Sequence, residues 1–387
     1  MSDANRTLLS YVEESVFGTT PVSALKNFRF TGESLDHTTE SSQSAEVRAD
    51  RQIPDHIRTN VGASGDLNFE LSYSALDDFL EGLLGADWPA TVSISRTDIQ
   101  AIAPNNVFST VAGDFSGIQI GQWVLVAGFD TGANNGYFLV TDKQSDSSGD
   151  WIQVTGGTLV DEAAGDTVTI KGTCIFNGTT AKSYSIEKHF QDVSKFDSFV
   201  GCRVGAMSLN IAANAIITGS LSLTGLRGAA TQVATIGTGA NVAAPTNDVM
   251  NAIDHVAAIR EGGTLVTQDI TAITLAITNN LRAQPAVATL GAAGIGIGSF
   301  NVSGTFNAYF EDRSFLDKYR GFTETSLAFR VIDGDGNAYM FNLPAIKFSG
   351  GPVVIPGQDQ DVMVDLSFVA KMDTVASKML SITRFPA

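Results

Sequence analysis

Between residues 33 and 60 this chain carries almost no large apolar side chain, yet alternating strand patterns bracket the segment on both sides. Upstream, Phe28 and Phe30 alternate with polar residues; downstream, Leu67, Phe69 and Leu71 do the same. Within it lies the charged run Ser44-Ala-Glu-Val-Arg-Ala-Asp-Arg-Gln-Ile-Pro-Asp55. A segment so poor in apolar surface cannot bury enough to fold alone. Compact domains rarely keep a structureless loop beyond about 12–15 residues unless it binds something. The segment 33–60 therefore reads as an arm, solvated in the free chain and ordered against a partner.

A compact helix follows over 75–85. Leu76, Phe79, Leu80, Leu83 and Leu84 recur at helical spacing and form one face. Ser74 is placed to cap the first turn, Asp77 and Asp78 suit the positive end of the dipole, and Gly85 suits the stop. The spacing predicts a helix that lays its apolar face on a sheet.

The remainder is β-patterned. Glycine is abundant (38 residues), and Thr, Ser, Val and Ile recur in alternation. A length of 387 residues favours two domains over a single core. Residues 95–172 read as the separate unit. Five short alternating runs, at 106–110, 122–127, 136–141, 151–154 and 166–171, are divided by turns rich in Gly, Asn and Asp, which predicts a small barrel or sandwich. Farther on, Phe300, Val302, Phe306, Ala308 and Phe310 share one face of a strand, while Ser299, Asn301, Ser303, Thr305 and Asn307 share the other. The runs 217–224, with Thr218, Ser220 and Ser222 on the polar side, and 361–368 alternate in the same way. Such a sheet packs a core on one side only. Its small polar face meets solvent or lines a water-filled channel, and alternation does not choose between them.

Several blocks resemble a known family. Phe30-Thr-Gly-Glu-Ser-Leu35, Ala45-Glu-Val-Arg-Ala-Asp-Arg-Gln52 and Leu67-Asn-Phe-Glu-Leu-Ser-Tyr73 resemble the opening of the major tail tube proteins of long, non-contractile-tailed bacteriophages. Ser303-Gly-Thr-Phe-Asn-Ala-Tyr-Phe-Glu-Asp312, Asp333-Gly-Asp-Gly-Asn-Ala-Tyr339 and Leu343-Pro344 resemble its closing strands. The likeness covers roughly 5–92 and 175–373. It implies a mainly β chain: a tail-tube β-sandwich or barrel subunit (1–94 and 173–387) with one flanking helix and a long arm or hairpin. Residues 95–172 would then be a small all-β domain inserted between neighbouring strands and projecting outward. The resemblance implies six copies in a ring, rings stacked into a tube that conducts viral DNA, and no cofactor or enzymatic activity. Its partners would be other copies of the chain and the tail terminator, distal tail and tape measure proteins, within a virion tail assembled in the bacterial cytoplasm. The arm becomes the candidate contact between rings, where Glu46, Arg48, Asp50 and Arg51 alternate in sign. Thr218, Ser220, Ser222, Asn301, Ser303, Thr305 and Asn307 become candidate lumen residues.

Charge and motifs bound the alternatives. A net charge of −17 and a pI near 4.5 oppose a protein that grips nucleic acid by neutralising phosphates. Asp333-Gly-Asp-Gly-Asn337 begins like a calcium loop, but Ala338 and Pro344 stand where Gly and Glu are required, which favours a tight turn. The run 291–298 is glycine-rich without the dinucleotide-binding spacing. His37, His56, His189 and His255 are isolated, and Cys174 and Cys202 lack CxxC spacing and read as reduced, semi-buried thiols. Asn279 to Ala283 breaks a strand pattern and reads as a buried polar turn or a subunit contact. No apolar run reaches 18 residues, and residues 1–6 show no secretion signal. The main rival is a carbohydrate-binding or adhesive β-sandwich with Trp123 and Trp151 as stacking platforms, against a reading of both as small-domain core. A hydrolase using an unrecognised carboxylate pair is weaker still, because no spacing singles out such a pair.

Overall fold

The computed structural model describes residues 3–111, 115–146, 149–229, 232–351, 353–355 and 357–387. Its organising element is the 18-residue strand Lys195–Ala212. The first half of this strand pairs with Tyr184–Phe190, which pairs in turn with Thr7–Glu13. The second half lies between Thr218–Gly225 and Ile270–Thr278. A bulge between Val204 and Ala206 bends the strand where it passes from one group of partners to the other. The second group continues outward on both sides. Thr218–Gly225 pairs with His56–Glu70, and Ile270–Thr278 pairs with Asn301–Tyr309, which pairs with Met363–Ala370.

Alternation decides which way these strands face. Leu67, Phe69, Leu209, Leu221, Leu275, Phe306 and Leu366 are buried on the inner side, one from each strand or two. Full burial of such a side chain is worth about 1.5–3 kcal/mol, so a one-residue slip that turned a strand over would be costly. The helix Asp77–Leu84 closes this core. Phe79, Leu80, Leu83 and Leu84 are buried as the spacing predicts, and Phe79 packs against Tyr11, Phe28 and Tyr184. Gly85 ends the helix in a left-handed conformation (φ 64°), donating its N–H to the Glu81 carbonyl.

The first turn departs from expectation. The helix begins at Asp77, its N-cap position is Leu76, and no side chain caps it. Ser74 instead has φ 60° and gives its N–H to the Tyr339 hydroxyl. Asp77 faces inward, accepting from Tyr339 and Arg384. Burial raises its carboxyl pKa and outweighs those two hydrogen bonds, which lower it. A second helix, Ser314–Gly321, was not visible in the periodicity; it buries Phe315 against Phe306 and Phe348.

Residues 93–171 form their own seven-stranded sheet around their own core, in which Phe108, Phe115, Phe138, Ile152 and Ile170 are buried. The sheet stays open, since its end strands Ser93–Arg96 and Gln100–Ile102 are not paired with each other. Likewise the large sheet is open, and no closed barrel forms among the described residues. The small sheet docks on the large one through Trp123 and Tyr137, against Ala328, Ala338, Met340 and Phe385.

Candidate assembly surface

The polar face of the large sheet is continuous, and register aligns it in rows. One row runs Asn68–Ser220–Ser208–Ala276–Ser303–Val369 across six strands. The next runs Glu70–Thr218–Asn210–Thr274–Thr305–Ser367. Flanking rows hold Asp66–Ser222–Ala206–Thr278–Asn301 and Ala212–Ala272–Asn307–Asp365. All seven small polar residues singled out from the sequence thus lie on one face. Ser208, Asn210 and Thr274 belong with them and were not singled out, although the alternation Met207-Ser-Leu-Asn-Ile211 carries two of the three.

Short hydroxyl side chains bond across the strands. Ser208 and Ser220 are 2.8 Å apart, Thr274 and Thr305 are 2.7 Å apart, and the Ser222 hydroxyl donates to Asp66 at 2.5 Å. Cross-strand pairs of this kind are worth roughly 0.2–1 kcal/mol each, and they keep the surface low and even. The charged members of the four rows are Asp66, Glu70 and Asp365; no lysine or arginine falls in them. Over these six strands the face is therefore acidic as well as polar; the first row continues to Lys347 on the next strand.

The segment 33–60 is a hairpin, as the resemblance allowed, and not the structureless arm that its composition suggests. Asp36–Gln43 pairs with the outer half of His56–Glu70, from Asp36 opposite Ser64 to Gln43 opposite His56. The arm is thus a hairpin whose backbone is satisfied by a ladder with one register shift, between Glu40 and Ser41, which is why it holds shape without burying apolar surface. Only its tip, 44–55, lacks strand structure. There Arg48 and Asp50 form an ion pair at 2.9 Å within the tip. The hydrogen bond from Arg48 holds the Asp50 carboxyl below the usual carboxylate range. Arg51 adopts φ 61° and returns its N–H to the Arg48 carbonyl; the Glu46 N–H reaches the Ser44 hydroxyl. Val47 is 98% exposed, and Ile53 and Ile57 are exposed as well. The tip holds exposed apolar side chains among its charges, and no described residue covers them.

The other singled-out residues fall into structural roles. The Asp333 carboxylate accepts from the backbone N–H groups of Asp335 and Asn337 and from the Asn337 side chain, closing a turn between Glu324–Ile332 and Ala338–Gly350. Asn279 is buried and its amide donates to the carbonyls of Leu83 and Val204, tying the helix end to the long strand. Cys174 and Cys202 are fully buried and unpaired, and burial pushes the Cys174 thiol up to about 12. Trp123, at 2% exposure, sits between the two sheets with Arg260 over its ring, so it is not a stacking platform. Trp151 is half-buried on the outer face of the small sheet, so it is not core. No helix among the described residues is long and apolar enough to cross a membrane.

The family model described as phage tail tube protein matches residues 4–370. The chain belongs to the phage tail tube family. No curated protein matches it. In this tail tube family member the matched span takes in the arm, the polar-faced sheet and the small sheet alike. Membership makes it a structural protein of the virion tail, one that assembles with its own copies into a tube alongside other tail proteins.

Proposed function

We propose that six copies form a ring, that rings stack into the tail tube, and that the rows of small polar and acidic residues line a lumen through which viral DNA passes. The observation that carries this reading is the polar face itself. Six adjacent strands present hydroxyls, amides and three carboxylates in aligned rows, without a cation. Set edge to edge around an axis, such faces would make a smooth wall that repels phosphates and binds no sequence. A ring with matching upper and lower surfaces propagates as an open filament.

The hairpin arm is the proposed contact between rings, with Glu46, Arg48, Asp50 and Arg51 at its tip. Arg48 and Asp50 already pair with each other, so the exposed Val47 and Ile53 supply the apolar part of that contact. Residues 95–172 act as an inserted domain on the outside. Their docking patch lies against 328–340 and 385, away from the polar rows. Tail terminator, distal tail and tape measure proteins are the proposed further partners, with assembly in the host cytoplasm.

Electron cryomicroscopy of the purified protein, over a concentration series and with its initiator complex, tests the reading. Six-membered stacked rings with Ser220, Asn301, Ser303 and Thr305 facing the channel are expected. A lumen lined by lysine or arginine, or these residues on the outer wall, would overturn it.

A further inference from the structure

The outer face of the small sheet carries a cleft of 690 Å³, within the range of about 300–1,000 Å³ usual for small-ligand sites. Four strands build it side by side: Gln100–Ile102, Val107–Thr110, Gly149–Thr155 and Gly136–Asp146. Register places Gln100, Ser109, Trp151 and Gln144 in one row, and Gln153 beside Asp142 in the next. Hydrogen bonds fix these side chains. The Trp151 indole N–H donates to Gln144 Oε1 at 2.9 Å, Gln100 donates to the Ser109 hydroxyl at 2.9 Å, and Gln153 donates to the Asn105 carbonyl at 3.0 Å. Asp150, next to Trp151 in the same strand, points to the inner side of the sheet instead and is 1% exposed. One of its carboxylate oxygens accepts the Phe115 N–H at 2.7 Å; the other has no partner among the described residues.

The lining chemistry selects a ligand class. Amides, a hydroxyl and the Asp142 carboxylate at strand spacing suit a ligand with many hydroxyls that both donate and accept. A half-buried indole beside them offers a flat apolar surface for the C–H face of a sugar ring. No lysine or arginine lines the cleft, so an anionic ligand such as a phosphate or sialic acid would lack its usual charge-assisted partner. Four strands span about 14 Å at a spacing of ~4.8 Å, which fits a short chain of rings better than one. We propose that this cleft binds a neutral oligosaccharide, with Trp151 as the stacking surface and Gln153 and Asp142 as hydroxyl partners.

The test is fluorescence and calorimetric titration of the full-length protein with cellotriose, maltotriose and chitotriose, with sialyllactose and glucose 6-phosphate as anionic counterparts. Binding of at least one neutral trisaccharide is expected, weakened tenfold or more by W151A and by D142K, with the anionic sugars inert. D142K keeps the indole and changes an exposed side chain, so a fold defect in W151A alone would not decide the matter. No binding in the neutral series, binding that survives both substitutions, or preference for the anionic sugars would each overturn the proposal. The readout does not depend on tube formation, so its failure would leave the proposed assembly untouched.

Discussion

Buried tyrosines tie the stability of this chain to pH on the alkaline side. The Tyr11 hydroxyl donates to Asp78 at 3.0 Å, Tyr339 donates to Asp77, and Tyr184 to the Asp78 carbonyl. Tyr73 packs on Tyr339 with centroids 5.2 Å apart. Burial first, and the nearby carboxylates second, push all four phenols above their ordinary value of 10.0, Tyr73 to about 12. The folded chain therefore keeps protons that the unfolded chain releases above pH 10. Stability is full below that value and falls as pH climbs through the window above it. Phenolate absorbance recorded together with circular dichroism on an alkaline ramp should show these tyrosines ionising in step with unfolding. Smooth titration of all tyrosines with the fold intact would contradict their burial. None of this is legible locally. Ser74 has the composition of a cap, yet it serves Tyr339, a residue 265 positions away.

At the scale of elements, the arm illustrates what composition can and cannot report. Its polarity reveals that it is exposed, and the structure agrees. Polarity says nothing of a ladder made by prolonging a core strand, because backbone hydrogen bonds carry no side-chain signature. The polar face is legible in the same partial way. Alternation at 218–224 and 299–307 marks which residues share a side; the rows need registers that join residues far apart in sequence. Since the tip 45–54 touches nothing else described, replacing it with Asn-Gly, a two-residue hairpin turn, should leave monomer stability within about 0.5 kcal/mol. Thermal melts and electron microscopy would check both halves of the expectation, unchanged melting and absent tubes. Tubes of normal length from the shortened chain would remove the arm from the inter-ring contact.

For the whole molecule, the small sheet is joined at two adjacent points. The Val92 N–H donates to the Thr173 hydroxyl at 3.1 Å and the Gly172 N–H to the Val92 carbonyl at 3.2 Å. A short Gly-Ser link can therefore replace residues 95–170 without stretching the chain. The excision uncovers Phe385 and Met340, at about 1.5–3 kcal/mol each, so a lower melting temperature is expected. Tubes should still form; a folded variant unable to make them would place the unit inside the wall. The sequence reading named five of the unit's seven strands, missing Ser93–Arg96 and Gln100–Ile102, and it missed the docking patch, because a tryptophan at a junction and one in a core look alike in sequence. The long strand Lys195–Ala212 has a further consequence. Drawn out over 18 residues it measures about 60 Å, and it belongs to both groups of partner strands. It can act as a spar: a load applied at the polar face reaches the far partners along covalent bonds.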